Sequence, residues 1–336
     1  RVLCVGFEEN ETYHQIVERL PEVAGAPVDL ILQKRIGSLR PGKGDGMNTA
    51  LQHFVGDTDL GRMHFYDSDI TSFGPEWITK AEEAADLGYG IVRHYFPRAS
   101  TDAMITWFVT RTGFALIWPR SELPWIEQPL GGELLLTRAT AEHLLGDDRV
   151  QAQSDWGIDT LYTFVTAQAG FPVYESYVSR GKAHRLYGRL TDLKTMIVEC
   201  FSAVQSLKDE TVPEHTPHRI EFPEAVPQSI AEKLGYDVEA TMQLLTEEWT
   251  DRQEELLGLF PVPIRDGLAA NRRRITFSFL DVAAWFEAYQ ILLDHFVLWR
   301  VRYLWKVRER FANDHPVAVG QRRVPVTGRF HYIGVG

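Results

Sequence analysis

Two aspartates one residue apart carry the clearest chemical signal in this 336-residue sequence. Asp67 and Asp69 follow the run from His64 to Tyr66, which is typical of a buried strand. Open α/β sheets bind ligands at the carboxyl ends of their strands, and residues i and i+2 of an extended chain point the same way. Two carboxylates on one side suit Mg²⁺ or Mn²⁺ carrying a substrate diphosphate. The alternative is a strand that runs into an ordinary acidic turn.

A glycine-rich segment with one lysine, residues 37–48, follows a predicted strand and precedes a predicted helix. The spacing from Gly37 to Lys43 fits an ATP-binding P-loop, but Gly44 stands where that loop requires Ser or Thr. We therefore reject an ATP-type loop. Glycines, a helix N-terminus and a lysine still favour an anion such as a diphosphate. The alternative is a flexible turn with a solvated lysine.

Three later polar segments have residue types that suit a metal, a sugar and a small carboxylate. His184 is a candidate metal ligand, because imidazole binds first-row metals. Trp156 and Asp159 suit a sugar, since an indole packs against C–H groups and a carboxylate binds hydroxyls. Arg98, just before a predicted helix, suits a carboxylate. The plainer readings are a solvated histidine, a surface arginine, and Asp155 as only a helix N-cap.

Strand-like runs alternate with helical patterns up to about residue 200. The predicted strands are Val2–Val5, Val28–Leu32, Met63–Tyr66, Gly90–His94, Glu133–Leu136 and Val173–Tyr177. The predicted helices are Glu9–Arg19, Gly46–Phe54, Pro75–Asp86, Thr101–Thr112, Ala139–Leu145 and Ile158–Gln168. This alternation predicts an α/β fold with a mostly parallel sheet, whose carboxyl edge would gather the polar segments.

The pattern changes near residue 205, which predicts two regions, 1–205 and 206–336. Prolines crowd the stretch after the boundary and predict a linker or wrapping loop. Helical patterns then cover residues 228–257, 264–269 and 280–310, and residues 321–336 are predicted to form a tail. Because no segment precedes the first strand-like run, we expect that an upstream strand is missing from the sequence.

Composition and charge disfavour several classes of protein. A net charge of −11 disfavours a dedicated nucleic-acid binder but allows an anionic substrate. Two unclustered cysteines, Cys4 and Cys200, indicate no disulfide framework and no zinc site, so a cytoplasmic setting is the default expectation. The sequence shows no signal peptide and no uncharged apolar run of about 18 residues, so we expect no membrane partner. Tryptophans such as Trp285 could serve a homo-oligomer interface or cover the sheet.

Together these segments resemble the GT-A class of nucleotide-sugar glycosyltransferases. Five phrases are similar to the mannosylglycerate synthase family: residues 39–48, 69–74, 93–100, 128–133 and 154–160. The resemblance is dense over residues 1–205 and looser through the C-terminal part. It implies a Rossmann-like GT-A fold with a helical C-terminal region. It also implies a retaining enzyme that uses a divalent metal to move mannose from GDP-mannose to D-glycerate, giving a compatible solute.

The resemblance also implies roles for the matching residues. Donor-binding residues would be Val5, Gln33, Lys43, Asp67, Ser68, Leu130, Asp159 and Tyr187. Acceptor-binding residues would be Arg98, Ala103, Met104, Ile105, Thr106 and Trp156. The metal ligands would be Asp69 and His184, and the catalytic residues Asp159 and Lys43. Among the donor residues, Gln33 and Val5 would line the guanine site, Asp67 would contact the ribose and Lys43 would meet the diphosphate.

The mechanism and two alternative functions stay open at this stage. Double displacement needs a carboxylate nucleophile beside the anomeric carbon, and Asp159 is the only carboxylate that we would test for it. The resemblance favours same-face attack, in which the departing phosphate oxygen helps to deprotonate the acceptor. One alternative function is a GT-A transferase with another donor or acceptor. The other is a non-catalytic nucleotide-binding protein, whose aspartates merely end a strand.

Overall fold

The computed structural model describes residues 1–6, 11–97, 103–184, 190–223, 243, 246–247, 249–271, 280–299 and 333–335. The chain divides into two compact units. One unit consists of Arg1–Gly235 with Phe330–Gly336, and the other of Tyr236–Arg329. The first unit contains the sheet and the candidate site, whereas the described part of the second is helical.

The described strands of the first unit form one mixed sheet. They are β1 (Val2–Gly6), β2 (Val28–Leu32), β3 (Arg62–Asp67), β4 (Ile91–Tyr95), β5 (Leu134–Thr137), β6 (Val173–Tyr177), β7 (His218–Ile220) and β8 (Ile333–Val335). Their order across the sheet is β2-β1-β8-β3-β5-β4-β6-β7. Strands β5 and β8 run antiparallel to their neighbours, and the other six share one direction. The predicted mostly parallel sheet is therefore confirmed.

All six predicted strands are present, each within one residue of its predicted ends. Two strands contradict the prediction. His218–Ile220 lies in the stretch predicted as a linker, and Ile333–Val335 lies in the predicted tail. Each has three residues, which is too short for the alternation that reveals a strand in sequence.

Helices cover the two faces of this sheet between the strands, as in other α/β folds. They are α1 (Glu11–Arg19), α2 (Lys43–Asp57), α3 (Pro75–Asp86), α4 (Thr112–Ile117), α5 (Arg138–Leu145), α6 (Asp148–Ala152), α7 (Ile158–Gln168) and α8 (Leu190–Ser206). The segment predicted as one helix over 101–112 instead has a π-helical turn, Thr106–Arg111, which leads into α4. The Thr112 hydroxyl donates to the Trp107 carbonyl at 2.8 Å, which supplies a partner in this wide turn.

The largest apolar core lies where α2 and α7 pack near β3 and β5. Met47, Leu51, Phe65, Leu134 and Phe164 are fully buried in one cluster. Burial of such a side chain stabilises the fold by about 1.5–3 kcal/mol. This packing fixes the N-terminal ends of α2 and α7 beside the carboxyl end of β3, where the candidate site lies.

The second unit is helical where the structure describes it, as predicted for the C-terminal region. Its described helices are Asp251–Leu257, Val262–Asn271 and Val282–Asp294. A capping box between Thr250 and Gln253 begins the first helix. The predicted helices over 228–257 and 280–310 extend beyond the described residues. Among the residues that the structure describes, no helix is long and apolar enough to span a membrane.

Candidate active site

Five charged side chains of alternating sign, each largely buried, lie at the carboxyl end of β3. The Lys43 Nζ lies 2.8 Å from Asp159 Oδ2 and 3.7 Å from Asp67 Oδ1. The Lys182 Nζ lies 2.7 Å from Asp67 Oδ2 and 2.5 Å from Glu133 Oε1. Each of these side chains contacts the next in the order Asp159, Lys43, Asp67, Lys182 and Glu133. We call these five residues the ion network.

The ion network joins five separate elements of the first unit. Its members are Lys43 at the start of α2, Asp67 at the end of β3, Glu133 just before β5, Asp159 in the first turn of α7 and Lys182 after β6. Strand ends and helix starts converge at one edge of an α/β sheet. Residues far apart in sequence therefore meet here, and three of the five were predicted as site residues.

Gly132 leaves no room for a side chain beside the network. A Cβ built on it would lie 2.6 Å from Lys43 Nζ and 2.9 Å from Asp67 Oδ1. Real Cβ atoms essentially never approach other atoms so closely. Glycine at this position therefore allows the backbone before β5 to approach the ammonium and the carboxylate directly.

The network keeps its lysines and Asp67 charged despite burial. Burial alone would lower the pKa of Lys43, but Asp159 and Asp67 outweigh burial and raise it. Burial would raise the pKa of Asp67, yet Lys182 and Lys43 hold it well below its usual value. Burial raises the pKa of Asp159, and Lys43 opposes that rise. Opposite charges at hydrogen-bond distance thus offset much of the desolvation penalty of each partner.

Several polar atoms in the network or close to it are buried and have no hydrogen-bond partner among the described residues. They include Asp159 Oδ1, Glu133 Oε2 and Arg93 Nη2. Arg93 Nη1 donates to the carbonyls of Gln128 and Gly131, each at 3.4 Å. Burial lowers the pKa of Arg93 to about 10, and the nearby Asp159 acts in the opposite direction. Unpartnered buried groups are costly, so these atoms are suited to a polar ligand such as a sugar hydroxyl.

Trp156 lies beside the network, as its predicted role in the pocket requires. The Lys43 Nζ lies 5.7 Å from the centroid of the Trp156 ring, within cation–π range. The backbone N–H of Trp156 donates to Glu199 Oε2 at 3.1 Å, and Arg40 donates to the same carboxylate. Glu199 of α8 therefore anchors both the Trp156 loop and the glycine-rich segment.

The glycines near Lys43 allow two parts of the chain to pack closely together. A Cβ on Gly37 would lie 2.6 Å from the Ala152 carbonyl oxygen. A Cβ on Gly44 would collide with the carbonyl oxygen of Gln153. The buried Asp45 carboxylate accepts the Gly37 N–H at 2.8 Å. These glycines are thus explained by the approach of another loop, whereas the contact of Lys43 with a diphosphate stays a prediction.

The segments of the two proposed metal ligands are bound to each other. The Thr71 N–H donates to the Ala183 carbonyl at 2.8 Å, and the Ala183 N–H donates to Ser72 Oγ at 2.8 Å. Asp69 lies two residues before Thr71, and His184 directly follows Ala183. One carboxylate and one imidazole are a suitable donor pair for Mn²⁺ or Mg²⁺, with phosphate and water oxygens as further ligands. Within the described ranges, no group of three or more His, Cys, Asp or Glu side chains could hold a metal alone.

The remaining predicted site residues have different surroundings. Gln33 is half-buried, and its N–H donates to the Gly6 carbonyl at 2.6 Å, so it lies where β1 and β2 end. The Val5 side chain is part of the apolar core, which leaves only its backbone to face a ligand. Ser68 is exposed and Leu130 is half-buried.

The predicted acceptor segment is only partly described. Arg98 lies outside the described residues, as does the donor-side Tyr187. Ala103, Ile105 and Thr106 are buried, and Met104 is half-buried. The acceptor role of this segment therefore stays a prediction.

Sequence reasoning missed three charged residues that are now part of the site or adjacent to it. Glu133 and Lys182 complete the ion network, and Arg93 lies close enough to Asp159 to influence its charge. Arg93 and Glu133 were inside phrases that carried the family resemblance, and Lys182 was two residues before His184, but none of the three received a role. The sequence alone could have indicated a role for Arg93, because a charged residue inside the apolar run of a central strand needs a buried partner.

Asp155 is not the N-cap of α7 that the plainer interpretation predicted, because Gly157 occupies that position. The Asp155 Oδ1 accepts the N–H of Gly157 at 2.9 Å, directly before α7 begins. Burial, followed by the nearby Glu199 charge, raises the pKa of Asp155 to about 6. The carboxylate therefore stabilises the turn into α7.

Curated relatives with high sequence identity are mannosylglycerate synthases. That of Rhodothermus marinus is 61% identical over 298 residues, which are 88% of this chain and 75% of the relative. That of Selaginella moellendorffii is 56% identical over 301 residues, which are 88% of this chain and 71% of the relative.

Solved structures match at a lower level. Glucosyl-3-phosphoglycerate synthase from Mycobacterium tuberculosis, in complex with Mg²⁺ and UDP, is 16% identical. It has a TM-score of 0.47, with 63% of this chain and 79% of that chain covered.

Family models cover both parts of the chain. The mannosylglycerate synthase GT domain matches residues 1–206, and the mannosylglycerate synthase C-terminal domain matches residues 230–304. The family that the sequence motifs predicted is confirmed, and with it the GT-A fold. The chain belongs to the mannosylglycerate synthase family and is a glycosyltransferase.

Proposed function

We propose that this glycosyltransferase moves mannose from GDP-mannose to the 2-hydroxyl of D-glycerate, with retention of configuration and a divalent metal. One observation supports this most strongly. The ion network joins Asp67 of the Asp-x-Asp motif to Lys43 and Asp159, with Trp156 beside Lys43. Groups suited to a diphosphate and groups suited to a sugar thus share one buried site.

On the donor side, Lys43 is the group best suited to the diphosphate. Its ammonium is buried, charged and held between two carboxylates. A fixed positive charge stabilises the negative charge that develops on a departing diphosphate. Asp67 would bind the ribose hydroxyls, and Gln33 with the Val5 backbone would face the guanine at the ends of β2 and β1.

Asp69 and His184 would hold the metal, Mn²⁺ or Mg²⁺. Bound there, the metal would supply a Lewis acid that stabilises charge on the leaving diphosphate. The hydrogen bonds between Thr71, Ser72 and Ala183 keep the two ligand segments together. Neither proposed ligand belongs to the ion network, so both the metal and Lys43 would be free to stabilise charge on the diphosphate.

On the acceptor side, Arg98 would bind the glycerate carboxylate through two parallel hydrogen bonds. The segment Ala103–Thr106, which enters a π-helical turn, would bind the glycerate hydroxyls. π-Helical turns occur frequently at functional sites. Trp156 would shape the pocket between acceptor and sugar.

We propose same-face attack for the transfer. The bond from the anomeric carbon to the diphosphate breaks, a bond to the glycerate 2-oxygen forms, and the departing phosphate oxygen takes the hydroxyl proton. Asp159 keeps Oδ2 on Lys43 and leaves Oδ1 for a sugar hydroxyl. Its alternative role is a nucleophile in double displacement, which would need that same oxygen at the anomeric carbon.

A substrate panel tests donor, acceptor and metal separately. Nucleoside diphosphate release would be measured for GDP-mannose, GDP-glucose and UDP-glucose, each with D-glycerate, glycolate or D-lactate. We expect the highest kcat/KM for GDP-mannose with D-glycerate, loss of activity with EDTA, and recovery with excess Mn²⁺. A higher kcat/KM for another pair would contradict the proposed substrates, and activity unaffected by EDTA would contradict the metal.

A further inference from the structure

Lys182 connects the two segments that carry the proposed metal ligands. Its ammonium bridges Asp67 and Glu133, and its side chain is 10% exposed. Asp67 lies two residues before Asp69, and Lys182 lies two residues before His184. The ion pair between Asp67 and Lys182 therefore joins the same two segments two residues upstream of the proposed ligands.

Hydrogen bonds on the other side of Asp69 join the same segments. Ser72 Oγ donates to the Gly181 carbonyl at 2.8 Å and accepts the N–H of Ala183. Gly181 has φ +74°, a left-handed conformation that favours glycine, and its N–H donates to Val178 at 3.1 Å. The turn after β6 is therefore shaped to bring the chain back to residues 71–72.

Glu133 is the second carboxylate that binds the Lys182 ammonium. It is 1% exposed and directly precedes β5, a strand in the middle of the sheet. Its position is thus set by a strand that pairs with a neighbour on both sides. A carboxylate in that position limits the directions in which the Lys182 ammonium can point, because the ammonium must serve two acceptors at once.

We propose that Lys182 and Glu133 are positioning residues that align the Asp69 and His184 segments for the metal–nucleotide complex. They act through Asp67 and the turn after β6, without contacting the metal. The inference rests on the proposed metal-dependent use of a guanosine donor. It assigns two further residues to the site. Both would affect the increase in nucleotide affinity that the metal causes.

Calorimetric titration with GDP, with Mn²⁺ or with EDTA, tests this proposal on the full chain. The wild-type protein should bind GDP more tightly with Mn²⁺. In Lys182→Met, which keeps the length of the side chain and loses its charge, this gain should fall by about tenfold or more, the scale of one charge-assisted hydrogen bond. GDP affinity in EDTA should change by less than about threefold, within the spread of an indirect effect.

Two other roles of Lys182 predict different results. If its ammonium bound the diphosphate directly, Lys182→Met would lower GDP affinity in EDTA as well. If it acted only by charge, its removal would make the site more negative and would increase the gain from Mn²⁺. Either result would overturn the positioning role, as would an unchanged gain. A wild-type protein whose GDP affinity does not respond to Mn²⁺ would overturn the proposed donor site and this inference with it.

Conservative and control variants distinguish the proposed positioning role from a general loss of folding. Lys182→Arg keeps the charge and should restore most of the Mn²⁺-dependent gain, whereas Glu133→Gln should lower it less than Lys182→Met. Lys80→Met removes a more exposed ion pair, 2.6 Å from Glu221, and a hydrogen bond to the Tyr177 carbonyl at the end of β6, and it should leave the gain unchanged. Equal losses in Lys80→Met and Lys182→Met would indicate a general structural effect and overturn the proposal.

Discussion

At the residue scale, the addition of one methyl group at Gly132 should affect activity, because the ion network contacts the backbone before β5 there. In Gly132→Ala the new methyl group would lie 2.6 Å from Lys43 Nζ, the mobile end of a long side chain. The lysine can move because its side chain is flexible, but it then leaves its place between Asp67 and Asp159, and the two carboxylates lose a partner that offsets their burial. We expect kcat/KM to fall by about a hundredfold, as for loss of one preorganised charged group, together with a decrease in Tm.

Gly61→Ala is the matched control for this substitution. A Cβ at Gly61 meets no atom within 4 Å. Both activity and Tm should therefore stay close to the wild-type values. Full activity in Gly132→Ala would show that the position of Lys43 does not limit the reaction.

A second residue-scale prediction concerns Asp155, whose pKa is raised to about 6 by burial and by the nearby Glu199. The folded protein retains a proton that the unfolded chain loses near pH 4. Stability should therefore decrease as pH rises from about 4 to 6 and then level off. Asp155→Asn keeps the acceptor for Gly157 and removes this dependence.

Urea unfolding at several pH values would measure the free energy of unfolding of Asp155→Asn and of the wild-type protein. The stability of Asp155→Asn relative to wild type should grow between about pH 4 and pH 6 and stay constant above that range. If the free energies of unfolding of the two proteins changed equally with pH, the raised pKa of Asp155 would be contradicted.

At the scale of elements, the first two turns of α2 pack against α6 and the loop that follows it. Asn48 donates to the Val150 carbonyl at 2.8 Å, and Gly44 packs against the Gln153 carbonyl. Because backbone cannot give way as a side chain can, Gly44→Ala should destabilise the fold by about 1–3 kcal/mol. Thermal or urea unfolding would measure the difference.

Gly56, near the end of the same helix, is the internal control. A Cβ there meets no atom within 4 Å, so Gly56→Ala should stabilise the protein by about 0.5–1 kcal/mol. If both substitutions changed stability equally, the close packing of Gly44 would not be a determinant of this region.

Sequence patterns predicted elements better than the contacts between them. The strand before Asp67 and the helix after Gly157 were predictable, because apolar spacing follows from burial on one side. That placed Lys43, Asp67 and Asp159 at one edge of the sheet. Their pairing with Glu133 and Lys182 was not predictable, because it depends on which strands are neighbours. The short strand Ile333–Val335 carried no local pattern either.

For the whole molecule, family membership and site geometry support the same reaction from independent observations. The chain covers 75% and 71% of the two curated relatives, and it includes every residue of the ion network. Net charge is −11, yet two lysines and one arginine lie at the buried site. Local positive charge can therefore accept an anionic donor on an acidic protein.

The most direct test of the proposed reaction is the NMR spectrum of its product. The purified protein would be incubated with GDP-mannose, D-glycerate and Mn²⁺, with and without EDTA. We expect mannosylglycerate with an α-anomeric signal in the sample without chelator, and no product with EDTA. A β-anomeric product would contradict retention, and GDP release without any glycoside would contradict D-glycerate as the acceptor.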